Sequence, residues 1–222
     1  MSNPTGRLTN RWQLGIVAII AVAAIALLMG TAAVAAPTTA AEAVALQYMD
    51  ARDRTDAESA LALFADDAIV VDSPLVTLDH HTEVFELFEA LQWKWAVDEC
   101  VETASGTPAE VTCTYSTENA WSQALGVAPI GGQIRFAIEG SLISEMYHDF
   151  DRARWYPDVE REFQRWLTIN HPADVAIMWQ SEGFTRADDA DNGLTERLIP
   201  RLTAKSLELY ERYAADFAAV TG

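Results

Sequence analysis

A long stretch without charge divides this chain into two unlike parts. No charged residue occurs between Arg11 and Glu42, and residues 14–36 form an apolar run of 23 residues, LGIVAIIAVAAIALLMGTAAVAA. As a helix this run would extend about 34 Å, enough to cross a hydrocarbon core of about 30 Å. It is also typical of a secretory signal, with Arg7 and Arg11 as the basic start and Ala33-Val34-Ala35 as a cleavage site.

Both interpretations place the body of the protein outside the cytoplasm. The two arginines precede the apolar run, and basic residues stay on the cytoplasmic side of a membrane. We expect residues 1–36 to be a cytoplasmic tip with a membrane anchor or signal peptide. The remaining chain would be held at the cell membrane in a single-pass topology, or secreted if residues 1–35 are cleaved. A buried core helix is the third interpretation of the run.

The body of the protein is strongly acidic. The chain has 15 Lys and Arg residues; without Arg7 and Arg11, 13 basic residues stand against 33 Asp and Glu, a net charge of −20. Such a surface repels nucleic-acid phosphates, so no nucleic-acid partner is expected. With 50% hydrophobic residues overall, the body has enough apolar side chains for a globular core.

The two cysteines lie in a predicted β-hairpin. Segments rich in Val, Thr and aromatic residues flank the turn residues Ser105-Gly106-Thr107-Pro108. If the turn centres on Gly106-Thr107, residue numbers of cross-strand partners sum to 213, which places Cys100 opposite Cys113 on one face. An oxidising compartment then favours a disulfide. A metal pair and a reactive thiol are the alternatives, but no His or third Cys has suitable spacing, so we expect no metal site.

The order of the remaining patterns predicts an α+β fold. Capping boxes at residues 39–42 and 55–58 begin two helices, and Asp79 can cap a third. A buried strand at residues 68–71 precedes the third helix, and the hairpin and two further strands follow it. A run of helices followed by a run of strands favours a mostly antiparallel sheet with helices on one side.

Helical patterns return after Asp151. Pro157 and Pro172 mark the starts of two segments, and Thr203 can cap a last helix. We therefore expect a domain at residues 37–150 and a helical extension at residues 151–222, packed on the same body.

Residues 44–74, VALQYMDARDRTDAESALALFADDAIVVDSP, resemble the amino-terminal part of the SnoaL-like and ketosteroid-isomerase-like proteins of the nuclear transport factor 2-like superfamily. The shared features are a Tyr in the first helix, ALFADDA before the first strand, and an Asp just ahead of a Pro. The resemblance implies a curved antiparallel sheet wrapped around the helices into a cone with an apolar pocket. It also implies a small apolar ligand, cofactor-free acid/base chemistry of the isomerase, cyclase or dehydratase type, and a homodimer.

The resemblance assigns catalytic roles to Tyr48 and Asp72. In the isomerases an Asp moves a proton at carbon while a Tyr and a protonated acid stabilise the enolate oxygen. The position of that second acid falls at about Ile134, which is apolar and argues against steroid isomerase activity. Tyr48 and Asp72 also have plainer interpretations. Tyr48 can be a core residue of a helix, and Asp72 can be a turn residue before Ser73-Pro74.

The last predicted strand adds His148 to the candidates. Period two places Leu142, Met146, His148 and Phe150 on one face, which the apolar majority predicts to line the pocket. His148 could then act as a general base with Asp72 as its partner. The plainer interpretation is a core histidine bonded to a backbone carbonyl.

Two residues of the hairpin are predicted to line the same pocket. Trp95 lies on the inward face, and the register that sums to 213 places Glu118 beside it. Since strand faces alternate, a shift of one residue would turn Glu118 outward. His80 and His81 are interpreted as the exposed first turn of the third helix, where adjacent side chains point about 100° apart and cannot bind one ion.

Two classes of function follow from these patterns. One is an extracytoplasmic domain that binds, and acts upon, a small apolar molecule. The other is a non-catalytic scaffold tethered to the membrane, in which the extension binds a protein partner or closes the mouth of the pocket. If Trp166 or Trp179 of the extension filled that pocket, catalysis would be excluded.

Overall fold

The computed structural model describes residues 36–71, 78–181 and 198–221. They belong to one compact unit, residues 36–222. Residues 14–35 of the predicted anchor or signal lie outside the described residues, as does Asp72. Within the described ranges, none of the helices combines the length and apolarity that a membrane span requires.

Up to Phe150 the helices and strands follow the predicted order, with a short helix between the hairpin and the last two strands. The helices are α1 (Ala40–Asp53), α2 (Ala57–Leu61), α3 (His81–Ala90), α4 (Ala120–Ala124), α5 (Arg152–Trp155), α6 (Arg161–Asn170), α7 (Val175–Met178) and α8 (Ala204–Thr221). The strands are β1 (Phe64–Val71), β2 (Lys94–Ala104), β3 (Ala109–Glu118), β4 (Ile130–Glu139), β5 (Leu142–Phe150), β6 (Trp179–Ser181) and β7 (Leu198–Pro200). A 3₁₀ turn (Leu78–His80) precedes α3, and a π-helical turn (Tyr156–Glu160) joins α5 to α6.

Five strands form one curved sheet in the order β1-β5-β4-β3-β2. The pairs from β5 to β2 are antiparallel, as predicted, whereas β1 lies parallel to β5 at the sheet edge. β6 and β7 form a separate two-stranded antiparallel sheet within the extension, which the helical pattern had not indicated. The described part of the chain is thus α+β, with the helices and sheet expected of a nuclear transport factor 2-like protein.

The helix starts follow from their capping residues. α1 begins with the predicted capping box: the Glu42 amide donates to Thr39 Oγ1 at 3.1 Å, and the Thr39 amide donates to the Glu42 carboxylate at 3.2 Å. At α2 the cap is Asp56, which accepts from the Ser59 amide at 3.0 Å, and not Thr55. The predicted cap Asp79 lies inside the 3₁₀ turn instead, so α3 begins without a side-chain cap.

Two apolar cores hold these elements together. The sheet core lies between α1, α3 and the sheet, and its fully buried residues include Tyr48, Met49, Ile134, Ile143 and Met146. The extension core lies between α3, α4 and the helices of the extension, with Phe163, Leu167, Tyr210 and Phe217 among its buried members. Only Trp93 and Leu202 pack against both cores among the described residues. The extension therefore packs on the sheet domain through its own core.

The hairpin forms as predicted around its cysteines. Cys100 is the cross-strand partner of Cys113, and a disulfide joins them. Toward the open end, however, the register shifts by one residue between Val97 and Glu99. The prediction that Glu118 lines the pocket beside Trp95 is therefore wrong: Glu118 pairs with Lys94 on the opposite face, and its carboxylate accepts from Gln123 Nε2 at 3.0 Å. An extra residue in one strand reverses the faces beyond it.

A similar irregularity affects the start of β5. Ile143 pairs with Ile138, while Glu145 pairs with Ala137, so Ser144 is an extra residue. Met146, His148 and Phe150 keep the inward face, but Leu142 does not share it and is 40% exposed. The prediction for Leu142 is wrong because the extra residue interrupts the period of two.

Candidate functional site

The interior of the sheet core contains a buried arginine. Tyr48 and Arg52 are four residues apart on α1 and so lie on one helix face. That face packs against the sheet, which leaves Arg52 only 2% exposed and Tyr48 fully buried. Arg52 Nη1 donates a hydrogen bond of 3.3 Å to Tyr48 Oη. α1 therefore delivers a positive charge and a hydroxyl group to the same place.

Aromatic rings surround the guanidinium group. Its Cζ atom lies 4.0 Å from the ring centroid of Trp95 and 5.0 Å from that of Phe88. A cation over an aromatic face is attracted by the ring quadrupole, most strongly where water is excluded. These contacts offset part of the cost of burying a charge.

His148 joins the arginine to a second tyrosine. Its Nδ1 atom lies 3.4 Å from Arg52 Nη2, and its Nε2 atom is hydrogen-bonded to Tyr115 Oη. Because arginine has only donors, Nδ1 must accept, which assigns the ring proton of a neutral His148 to Nε2. Nε2 then donates to Tyr115 Oη. We refer to Tyr48, Arg52, Tyr115 and His148 as the polar cluster.

Gly132 makes room for the Tyr115 side chain. Gly132 on β4 is the cross-strand partner of Tyr115. A Cβ atom built at Gly132 would lie 2.6 Å from Tyr115 Cζ and closer still to its hydroxyl oxygen. Any side chain at this position would displace the tyrosine ring from His148.

Apolar and aromatic side chains complete the lining. The Tyr48 ring makes edge contacts with Phe64 and Phe136, at centroid distances of 5.5 and 5.4 Å. Trp95 and Met146, both predicted to line a pocket, are buried in the sheet core, and Trp95 lies 4.9 Å from the Tyr115 ring. Buried Trp95 Nε1 has no acceptor within the part of the chain that the structure describes.

His81 also belongs to this interior. It is 1% exposed, and its ring lies 5.0 Å from that of Phe85 and 6.1 Å from that of Tyr48. The interpretation of His81 as an exposed residue is therefore wrong, while His80 is exposed. The reason is helical spacing: His81 shares the buried face of α3 with Val84 and Phe85.

Glu42 fixes α1 against the sheet near the other end of the helix. Besides its capping bonds, its carboxylate accepts from the Glu102 amide of β2 at 3.0 Å and from the Thr38 hydroxyl at 2.7 Å. These hydrogen bonds, led by that from the Thr38 side chain, lower the pKa of Glu42 to about 2. The helix that carries Tyr48 and Arg52 is thus tied to the sheet by an ionised side chain.

The structure brings some of the predicted residues together and separates others. Tyr48 and His148 both contact the Arg52 guanidinium, so two of the three predicted catalytic residues meet at one group. The third, Asp72, lies outside the described residues. In the described ranges, no group of three His, Cys, Asp or Glu residues is arranged to hold a metal ion.

Sequence reasoning missed Arg52 and Tyr115. The signal for Arg52 was its spacing of four from Tyr48, which places it on the apolar side of α1. The signal for Tyr115 was its spacing of two from Cys113, which predicts the inward face of β3. Neither spacing indicates that the two residues meet at His148, since that depends on how α1 crosses the sheet.

This chain is similar to solved structures of several kinds of protein. A proposed polyketide cyclase from Pseudomonas putida has a TM-score of 0.42 and 17% identity, over 55% of this chain and 99% of that chain. A nuclear transport factor 2-like protein of unknown function from Cytophaga hutchinsonii has a TM-score of 0.40 and 13% identity, over 55% and 97% of the two chains. The Orange Carotenoid Protein of Anabaena, binding canthaxanthin, has a TM-score of 0.40 and 18% identity, over 49% and 36%.

No protein-family model matches the chain, and no curated protein matches it. The superfamily assignment that residues 44–74 predicted agrees with this chain's own order of helices and strands and with its curved five-stranded sheet. That agreement concerns the fold alone, so function has to be argued from the polar cluster.

Proposed function

We propose that the sheet core binds a small apolar molecule with one oxygen-bearing end. The observation behind this proposal is the polar cluster inside its aromatic lining. A buried guanidinium group contacts the Tyr48 hydroxyl and His148, and the Tyr115 hydroxyl is bonded to the other ring nitrogen of His148. Ligand sites are mostly apolar with a few convergent polar groups that fix orientation. Arg52 and the hydroxyl groups would contact the oxygen, and the aromatic rings would contact the apolar body.

Trp95 supports the same ligand class. Its indole nitrogen is a buried donor without an acceptor among the described residues. A buried donor that lacks an acceptor costs about 1–3 kcal/mol. A carbonyl, hydroxyl or carboxylate oxygen of the ligand would supply one, whereas a pure hydrocarbon would not.

Chemistry on the ligand would depend on Asp72 more than on His148. Both ring nitrogens of His148 are engaged by Arg52 and Tyr115, so His148 orients the polar cluster and has no lone pair directed at a substrate proton. Asp72 follows directly after Val71 in the sequence. As the residue that the resemblance assigns to proton transfer, it is the base of any isomerase, cyclase or dehydratase activity within this proposal.

The proposal places this domain outside the cytoplasm, at the membrane or secreted. The Cys100–Cys113 disulfide supports it, because such bonds persist in oxidising compartments. Membrane fractionation with amino-terminal sequencing separates the two forms: a mature chain that begins at Ala36 means a cleaved signal. Recovery of the intact chain in the cytoplasmic fraction would contradict both.

The ligand proposal is tested by calorimetric titration of the protein with decanoate and 1-decanol. We expect at least one to bind and to raise the melting temperature by mass action. Arg52→Met should weaken binding by roughly tenfold to a hundredfold, because a hydrogen bond to a charged group contributes about 1.5–3 kcal/mol. Binding by neither compound would overturn the proposal.

Arg135→Met is the matched control for that experiment. Arg135 lies exposed on the outer face of the sheet, with its Cζ atom 5.4 Å from the Tyr147 ring. It changes the net charge as Arg52→Met does, but it is remote from the polar cluster, so affinity should be unchanged. An equal loss in both variants would show a general charge effect and would contradict a role for Arg52.

The non-catalytic scaffold is the second candidate, and the extension core is the observation that favours it. Trp179 is buried in that core and Trp166 packs against it, so neither occupies the sheet core. The extension therefore leaves the polar cluster in place while presenting its own outer surface to solvent. Deletion of residues 151–222 tests this second candidate. It would be favoured if the shortened chain still folds but no longer binds a membrane-associated partner.

A further inference from the structure

Five aromatic rings form a closed circuit next to the polar cluster. Trp93 stacks on Trp95 at 5.8 Å, and Trp95 contacts His148 at 5.9 Å between ring centroids. His148 contacts Phe150 at 6.0 Å, and Phe150 contacts Trp155 at 5.5 Å. Trp155 closes the circuit by stacking on Trp93 at 5.0 Å. His148 therefore belongs both to the polar cluster and to this closed set of aromatic contacts.

Trp155 is the member that comes from the extension. The other four lie on or beside β2 and β5 of the sheet domain, whereas Trp155 ends α5 and is buried in the extension core at 5% exposure. Its stacking partner Trp93 packs against both cores. The Trp93–Trp155 pair therefore separates the interior of the sheet core from the extension core.

Chain connectivity keeps Trp155 in this position. α5 begins two residues after the end of β5, the strand that carries His148 and Phe150. The Trp155 amide donates to the Asp151 carbonyl at 3.0 Å, which fixes the turn between the strand and the helix. The side chain is thus held across the end of the aromatic lining by a short, hydrogen-bonded connection.

We propose that Trp155 is a specificity-determining residue that sets the maximum length of the apolar ligand. This inference rests on the proposed function. A ligand whose oxygen contacts Arg52 would extend its apolar body along Trp95 and Trp93, and the Trp155 indole would stop it there. Removal of the indole would open the lining toward the extension core, so longer ligands would gain contacts.

The test is a calorimetric titration with unbranched alkanoates from hexanoate to tetradecanoate. In the wild type, affinity should rise about fourfold for each added methylene, because each buried methylene contributes a constant free energy, and then stop rising at one chain length. In Trp155→Ala the rise should continue for at least two further methylenes. The affinities of the shortest alkanoates should remain within twofold of the wild-type values, since they do not reach Trp155.

Trp155→Leu, which keeps an apolar side chain, is measured in the same way in case the alanine variant does not fold. Trp166→Ala is the matched control: Trp166 contacts Phe163 and Tyr213 in the extension core and should leave the length limit unchanged. Near-ultraviolet circular dichroism checks the stacked indoles directly, and the Trp155 variants should lose part of that signal.

The outcomes separate this inference from the proposed function. If the wild type binds alkanoates but both Trp155 variants stop at the wild-type length, the role of Trp155 is overturned and the ligand site stands. If neither the alkanoates nor 1-decanol bind the wild type or either variant, the ligand site itself is overturned. A longer limit in Trp166→Ala would show general loosening and would also contradict a specific role for Trp155.

Discussion

The two cores of this protein bury similar kinds of side chain but differ in the hydrogen-bond partners of their polar groups. In the sheet core, α1, β3 and β5 contribute Arg52, Tyr115 and His148, and the first two meet at the two ring nitrogens of His148. In the extension core, buried tyrosines bond to nearby atoms of the extension: Tyr210 donates to the Met178 carbonyl, and Tyr213 donates to the Asp174 carboxylate. Convergence of polar groups from three elements on one histidine supports the proposal that the sheet core is the ligand-binding one.

The tyrosines of the extension core are held in the neutral form. Burial, followed by the hydrogen bond and charge of Asp174, raises the pKa of Tyr213 to about 12. Burial also raises the pKa of Tyr210, with the Glu160 charge acting in the same direction. Such phenols serve as hydrogen-bond donors that fix the helices, which is a structural role.

The largest expected effect is a loss of stability without a loss of ligand affinity. Phe163 is fully buried, and its ring stacks on Trp121 at 3.9 Å. Phe163→Ala should destabilise the protein by about 3–5 kcal/mol, because a large cavity remains in the extension core. Denaturant unfolding measures the loss, and titration at low temperature should show unchanged affinity for decanoate.

Phe136→Ala is the counterpart in the sheet core. Phe136 is 2% exposed and lies 5.4 Å from the Tyr48 ring, so this variant should lose both stability and affinity. If the two variants lowered affinity equally, the division between a functional and a structural core would fail.

The next effect concerns the disulfide that closes the hairpin of the sheet domain. The double variant Cys100→Ser, Cys113→Ser should lose about 3 kcal/mol of unfolding free energy, since the bridge closes a loop with a sequence separation of 13. Wild-type protein unfolded in the presence of reductant should match the double variant. Thiol counting should find no free thiol in oxidised wild type, and a reductant without effect would contradict the stabilising role.

A smaller effect is expected at Gly132 and tests the polar cluster without touching its residues. Gly132→Ala should cost about 1–3 kcal/mol through overpacking, and the displaced Tyr115 should lower affinity for decanoate. Gly131→Ala is the matched control, because a Cβ there meets its nearest atom, the Tyr115 carbonyl oxygen, at 3.8 Å. Equal behaviour of the two variants would remove Tyr115 from the site.

The smallest effect depends on pH. Glu42 has a pKa lowered from 4.5 to about 2 in the folded protein, so its ionised form stabilises the fold above pH 4.5. Glu42→Gln should therefore be less stable than wild type at neutral pH, and the difference should shrink as the pH falls from about 4.5 to about 2. Unfolding measured across that window tests this, with Glu86→Gln, exposed on α3, as the control for loss of one charge. A difference that does not vary with pH would contradict the role of the carboxylate.

Local patterns predicted much of the fold. The capping box at Thr39, the hairpin with its paired cysteines, and the order of helices and strands depend on contacts within a few residues or across one turn. The resemblance of residues 44–74 placed Tyr48 on the helix that enters the site. These features could be predicted because each is determined by its own stretch of sequence.

The candidate site could be predicted only in part. Period two placed His148 inward correctly, but the same rule failed for Glu118 and Leu142, because extra residues in β2 and β5 shift the register. A bulge has no signature in the few residues around it. The burial of His81, in contrast, follows from its spacing to Val84 and Phe85 on the apolar face of α3, so the sequence does indicate it.

By itself the sequence determined an α+β chain with an acidic body, a cysteine pair on one face of a hairpin, and helices at both ends of the domain. Only the tertiary structure decided that Arg52, Tyr115 and His148 meet in one polar cluster and that Trp155 stacks on Trp93. The physical reason is the distance along the sequence between the residues that interact. Secondary structure follows from neighbours in the chain, whereas a buried charge and its partners are selected by which elements the folded core brings together.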